Sequence, residues 1–163
     1  GALHNHFGWG LTRRCSGLAA LAADRDIVSR LYLRSFVHAT LPRTELARLE
    51  AEVCARAGVQ PLAPEPLDRI ALSRELLAGL EAGDVSWPAH GLRHPAHGNM
   101  CGWYAWSGQV FPADPDAFVP IHFSHLQEAA YCVVPYLALP VGWRFLIAPG
   151  HEDTWYDPAL LNI

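Results

Sequence analysis

Apolar residues recur at helical spacing through the first half of the chain and at strand spacing through much of the second. From about Asp24 the pattern is helical: Val28, Tyr32 and Phe36 fall at i, i+4 and i+8, with Ile27 and Leu31 beside them. A second helix is predicted from Thr40-Leu41-Pro42 to Ala57, where Leu46, Leu49, Val53 and Ala57 line one face and Gly58 supplies the stop. Residues 59–66 hold three prolines and read as a stiff connector. A third helix is expected from about Pro66 to Ala82, carrying Leu72, Leu76 and Leu80 on one stripe with Ile70 and Leu77 adjacent.

After Gly83 the pattern changes. Residues 84–99 contain two prolines, two glycines and three histidines without a hydrophobic period, which predicts a surface loop. Met100 to Trp106 reads as a central strand ended by Gly108, and the segment from Pro112 to Asp116 reads as a turn. Val119 to Phe123 suits a short extended piece. Ser124 with Gln127 has the spacing of a capping box, opening a helix that Pro135 should end near Val133. The clearest strand is Trp143 to Ala148, returning through Thr154-Trp155-Tyr156, with turn signals at Pro149-Gly150 and the acidic pair Glu152-Asp153. Asp157-Pro158 resembles a cap and first-turn proline for a short final helix. These elements give an α+β class: a helical half packed on a small, mainly antiparallel sheet from the second half.

Length and composition add limits. A chain of 163 residues, 51% apolar, suits one domain spanning 1–163, because ~150 residues bury roughly 68–70% of their unfolded surface. The formal charge of −4 offers no basic field for a phosphate backbone or an anionic membrane, so neither nucleic acid nor membrane is an expected partner. No apolar run is long enough to cross a bilayer, and the Leu18 to Ala23 stretch is too short and too soon followed by Asp24 and Asp26 to suggest export. Cys15, Cys54, Cys101 and Cys132 are widely spaced with no close pair, which points to buried thiols in a cytoplasmic protein. Residues 1–12 are compatible with a processing or cloning remnant and stay outside the fold reading.

Candidate chemistry is sparse. His90, His94 and His97, with His122 and His125, could in principle supply imidazoles to a metal-dependent hydrolase, yet the spacing is not diagnostic: Gly91 and Pro95 oppose a helix that would bring His90 and His94 together. Ser107-Gly108 lacks the nucleophile-elbow pattern, and Cys101 and Cys132 lie among apolar neighbours that raise a thiol's pKa. The pairs Asp114/Asp116 and Glu152/Asp153 occur in turn-like sequence where Asp commonly bonds its own backbone. Trp103, Tyr104, Trp106, Trp143, Trp155 and Tyr156 fall on or beside predicted strands. Core packing explains most of them, while those facing solvent would suit a protein interface rimmed by acids, or a small-ligand pocket walled by Trp103, Trp106 and Trp155.

The run Gly102-Trp103-Tyr104-Ala105-Trp106-Ser107-Gly108, then Asp114-Pro115-Asp116 with Phe118, Pro120-Ile121-His122, His125-Leu126, Tyr136-Leu137, the stretch from Gly142 to Ala148, and the stretch from Glu152 to Asp157 resemble the Imm33-type (DUF2185-like) bacterial immunity proteins over about residues 84–163. That resemblance implies a cytoplasmic, non-enzymatic protein that binds and neutralises a cognate toxin, with no cofactor and no catalytic residues. An acidic and aromatic interface would suit a basic toxin cleft. The residues expected to form it are Asp114, Asp116, Glu152, Asp153, Trp106 and Trp155.

Overall fold

The computed structural model describes residues 26–35, 41–129 and 131–162. It is an α+β fold with its helices mostly N-terminal and its sheet mostly C-terminal. Helix α1 spans Ile27–Ser35 and α2 spans Arg43–Ala57. Helix α2 is the element the periodicity predicted best, with Leu46, Leu49 and Val53 buried and the left-handed Gly58 returning its N–H to the last turn. Pro42 stands one residue before the helix as its cap. Phe36, Cys15 and the Leu18 to Ala23 run lie outside the described residues.

The expected third helix divides in two. Arg69–Ser73 is a strand, β1, and only Arg74–Ala82 is helical, α3. Ser73 ends one and starts the other, its hydroxyl accepting the Leu76 N–H at 3.1 Å. Leu72, Leu76 and Leu80 mimic one helical stripe because a buried strand residue happens to precede the helix at the same interval. Five apolar-rich residues cannot be told from a helical turn by periodicity, and pairing on both edges of β1 decides the matter.

The expected loop over 84–99 is also corrected, because Ala89–Arg93 forms β2 within the sheet. Gly91 concealed it. The Phe145 ring packs on its backbone so closely that an added Cβ would lie 2.2 Å from the ring, so the strand needs a residue that breaks any hydrophobic alternation. Met100–Ser107 is β3 and Phe118–His122 is β4, both where expected. Helix α4, Phe123–Ala129, begins one residue before Ser124 and ends before Val133, so Ser124 sits in its first turn and Pro135 falls in a separate 3-10 turn, Val134–Ala138. Trp143–Ala148 is β5 and His151–Tyr156 is β6, which places Glu152 and Asp153 in a strand, after the Pro149-Gly150 turn. Asp157 caps the final 3-10 turn, Pro158–Leu161, accepting the Ala159 N–H at 3.1 Å.

Among the described residues the strands form one six-stranded sheet in the order β4-β1-β3-β2-β5-β6, antiparallel except for β1 against β3. The register gives each face its residues, since directly opposed residues point the same way. Val119, Leu72, Ala105, Gly91, Phe145 and Thr154 form one row across all six strands. This row faces the helices, and Leu72, Ala105 and Phe145 join Ile70, Trp103, Val53 and Leu137 in the core. The next row, Pro120, Ala71, Tyr104, Leu92, Arg144 and Trp155, lies on the opposite face.

One buried cation joins the layers. Arg93 is 5% exposed and donates to Leu62 O and Leu139 O, each at 2.7 Å, and to Cys101 O at 3.4 Å. The guanidinium lies 5.8 Å from the centre of the Trp103 ring, whose Nε1 donates to Leu137 O at 2.9 Å. Connector, sheet and 3-10 turn are thereby tied at one point. Arg93→Leu leaves three carbonyls without a donor and is expected to cost roughly 3 kcal/mol or more. Arg93→Lys should restore little of it, for lack of the planar fork. Urea unfolding of the two variants checks this.

Candidate functional site

The face of the sheet away from the helices is only partly covered. Leu92, Trp106 and Leu160 form a small second cluster there, with Tyr104 and Phe118 packed against it. A loop from Gly108 to Asp114 folds over its centre and lays Phe111 on Trp106 at 4.8 Å and on Phe118 at 5.4 Å between ring centroids. Tyr104 meets Phe118 edge-on at 5.6 Å, and His90 stacks on Trp106 at 5.0 Å. Two hollows flank this spine, one of about 270 Å³ toward His94 and His97, the other of about 480 Å³ toward Pro115 and Pro120. Met100, Tyr104 and Phe111 line both.

A backbone irregularity shapes the first hollow. Between Arg69 and Ala71 the β1–β3 register shifts, and four residues of β3 span the two of β1. Gly102 sits in that bulge at φ 96°, with its backbone so near His94 that an added Cβ would lie 1.8 Å from the His94 carbonyl oxygen. Only glycine fits there.

The residues expected at an interface are distributed as follows. Trp106 is 4% exposed and lies beneath Phe111, while Trp155 is 36% exposed on the same face with Arg144 over its ring at 5.5 Å. Leu146 opposes both His90 and Asp153, so exposed Asp153 also shares this face. Glu152 points the other way. Tyr136 donates its hydroxyl proton to Glu152 at 2.6 Å, and Arg56 pairs with it at 3.1 Å, so this carboxylate ties β6 to the helical layer. Asp114 accepts the Asp116 N–H at 2.9 Å, Arg74 donates to Asp116 O at 3.0 Å, and both carboxylates are exposed beside the larger hollow. Asp114 and Asp116 precede β4 while Asp153 is on β6, so the acids sit at opposite edges, five strand spacings or about 24 Å apart. Phe111 was not anticipated by periodicity. Its only sequence signal was an apolar pair, Val110-Phe111, between Gly108 and Pro112 where a polar loop would be ordinary.

The histidines do not converge. His90 and His94 share a face of extended chain, about 13 Å apart. Carbonyls only accept, so His90 donates from Nε2 to Gly108 O and His94 from Nδ1 to Leu160 O, each at 2.9 Å. Burial holds the His90 imidazole below its usual pKa, the Gly108 bond opposes that, and nearby Arg144 adds to it, so the ring is neutral near pH 7. His122 and His125 lie at the β4 edge. Among the described residues no group of three or more His, Cys, Asp or Glu side chains is placed to hold a metal ion. The three-tryptophan pocket is likewise not formed, since Trp103 is buried on the helix-covered face and Trp106 and Trp155 lie on the other.

The strongly perturbed groups all lie under the helices. Burial raises the thiol of Cys54 to about 11 and that of Cys132 to about 12, and raises Cys101 as well. Such thiols are poor nucleophiles. Burial, then the charge and hydrogen bond of Glu152, push the Tyr136 hydroxyl far above its usual range.

A model of the Imm33-like domain matches residues 49–157. The chain belongs to the Imm33-like family. No curated protein and no solved structure matches it. The match begins within α2 and runs past β6, so the Imm33-like unit takes in β1 and α3 as well as the segment from residue 84 onward. That extent has a structural reason, because β1 lies between β3 and β4 and the Imm33-like sheet is incomplete without it. Membership places the chain in an immunity-protein family. Among its described residues no helix is long and apolar enough to cross a membrane.

One titratable group of the Imm33-like core has a measurable signature. Glu50 on α2 is 9% exposed, its Oε1 has no hydrogen-bond partner, and burial pushes its carboxyl from the usual 4.5 to about 7. The folded state therefore holds this proton more tightly than the unfolded chain, and stability falls as pH rises from about 4.5 to about 7, then levels. Glu50→Gln should add roughly 3 kcal/mol at about pH 8 and almost nothing at about pH 4. Urea unfolding of both proteins at the two pH values measures it.

Proposed function

We propose that this protein is a non-enzymatic bacterial immunity protein of one domain that binds a cognate toxin in the cytoplasm and neutralises it. The observation that carries the reading is the family match over residues 49–157. The open face of the sheet supplies a docking surface to go with it. Phe111 and Trp155 present exposed aromatic area on that face, and Asp114, Asp116 and Asp153 flank it with negative charge. Rigid aromatic anchors slow dissociation, whereas flanking charge speeds encounter with a basic cleft. Trp106 acts as the support on which Phe111 rests, and Glu152 holds β6 in place beside the helices. The chain's net charge of −4 agrees in sign with a basic target.

The test is co-expression with the toxic protein encoded beside it, followed by binding kinetics on the purified pair. Wild type should restore growth. Phe111→Ala should raise the dissociation rate by roughly thirtyfold, the effect of losing an anchor worth ~2 kcal/mol. Charge reversal at Asp114 and Asp116, and separately at Asp153, should slow association by roughly tenfold at low salt and much less at high salt. A toxin that is neutralised equally by all of these variants would remove the open face from the mechanism. A toxin that is never neutralised would remove the immunity reading itself.

A further inference from the structure

We infer that the outer edge of β6 is a strand-addition site for an extended, basic segment of the protein partner, an inference that rests on the protein-binding reading above. Strand β6 pairs with β5 on one side and with no described residue on the other. The ladder shows which groups it offers. The His94 N–H donates to Gly102 O, so even-numbered residues of β2 bond β3 and odd-numbered ones bond β5. Residues 143, 145 and 147 of β5 then bond β2, and residues 144, 146 and 148 bond β6. The inward members of β6 are therefore 151, 153 and 155, in phase with the Asp157 N–H that donates to Gly142 O. Glu152, Thr154 and Tyr156 keep their N–H and C=O groups aimed outward.

The two edges of the sheet differ. Strand β4 is five residues long and carries Pro120, which has no N–H and stops an incoming strand. Free edges are commonly protected by lysine, proline or a bulge, and β6 has none of these: its six residues pair with β5 without a register shift. Exposed Trp155 and Tyr156 extend from its two faces, one on each side of an added strand. Charge selects the occupant. Asp153 is exposed on β6 and has no cationic partner among the described residues, whereas Glu152 and neighbouring Asp157 are held by Arg56 and Arg144, and β6 itself holds no Lys or Arg. A second copy would set acidic strand against acidic strand, whereas a segment alternating lysine with β-branched residues is complementary in charge and in backbone.

The experiment uses the full chain labelled for NMR and a synthetic peptide of alternating lysine and valine, with a glutamate-for-lysine peptide as control. Binding of the lysine peptide should slow hydrogen exchange at the amides of Glu152, Thr154 and Tyr156 and leave the β4 amides unchanged. Thr154→Pro removes one outward donor and should weaken the peptide roughly tenfold with little change in melting temperature. Asp153→Lys, which leaves the backbone intact, should weaken it similarly. Full protection of these three amides before peptide is added, no change on adding it at millimolar concentration, or equal binding by Asp153→Lys would each overturn the proposal. A toxin neutralised equally by wild type and Thr154→Pro overturns the edge assignment and leaves the immunity reading standing. Slowed exchange at the edge without any neutralised toxin does the reverse.

Discussion

The guanidinium of Arg93 is the constraint to which the two layers answer. Its donors end on carbonyls from three segments that share no secondary structure: the proline-rich connector, the 3-10 turn after α4, and β3. Five N–H groups in one rigid plane can meet such scattered acceptors, and Trp103 beside it does the same for Leu137. A charge buried without a carboxylate contact is costly unless every carbonyl around it is held still. That requirement explains why the connector is stiffened by Pro61, Pro64 and Pro66 and why Leu62 N–H bonds back to Ala138 O at 2.7 Å.

The two faces of the sheet divide the chemistry between them. Raised thiols, the raised Tyr136 hydroxyl and the protonatable Glu50 all belong to the helix-covered side, where desolvation is the leading cause of each shift. The open face carries aromatic area and imidazoles hydrogen-bonded to backbone carbonyls. Desolvation without an organised partner perturbs titration yet prepares no nucleophile or base, whereas contact area with little conformational freedom is what recognition uses.

Legibility in the sequence followed from how local each signal was. Helix α2, strand β3, the β5–β6 hairpin and the Asp157 cap announce themselves through residues that contact their own neighbours, such as Gly58 at a helix end or Pro149-Gly150 in a two-residue turn. Strands β1 and β2 could not, because what makes them strands lies elsewhere in the chain: β3 and β4 around Ile70 and Leu72, and the Phe145 ring over Gly91. The site behaved alike. Exposed Asp114, Asp116, Asp153 and Trp155 could be nominated from composition, but adjacent Glu152 and Asp153 point to opposite faces, and only the strand register separates them. The resemblance from residue 84 onward was legible in aromatic-glycine motifs, while the family match reaches back to residue 49 through segments with no such markers.

The loop that brings Phe111 over Trp106 is attached to the sheet differently from everything around it. Gly108 N–H is anchored to the carbonyls of Ser86 and Pro88, and Asp114 closes the next turn, yet residues 109–113 make no backbone hydrogen bond to any described residue. Their lodging depends on side-chain rings alone. Insertions, deletions and substitutions there disturb neither the ladder nor the Arg93 junction, so the segment can be rewritten over generations while the scaffold persists. A lineage under pressure to follow a changing adversary would find its variation permitted in this loop, and forbidden at Ser73, where one side chain both ends a strand and begins a helix.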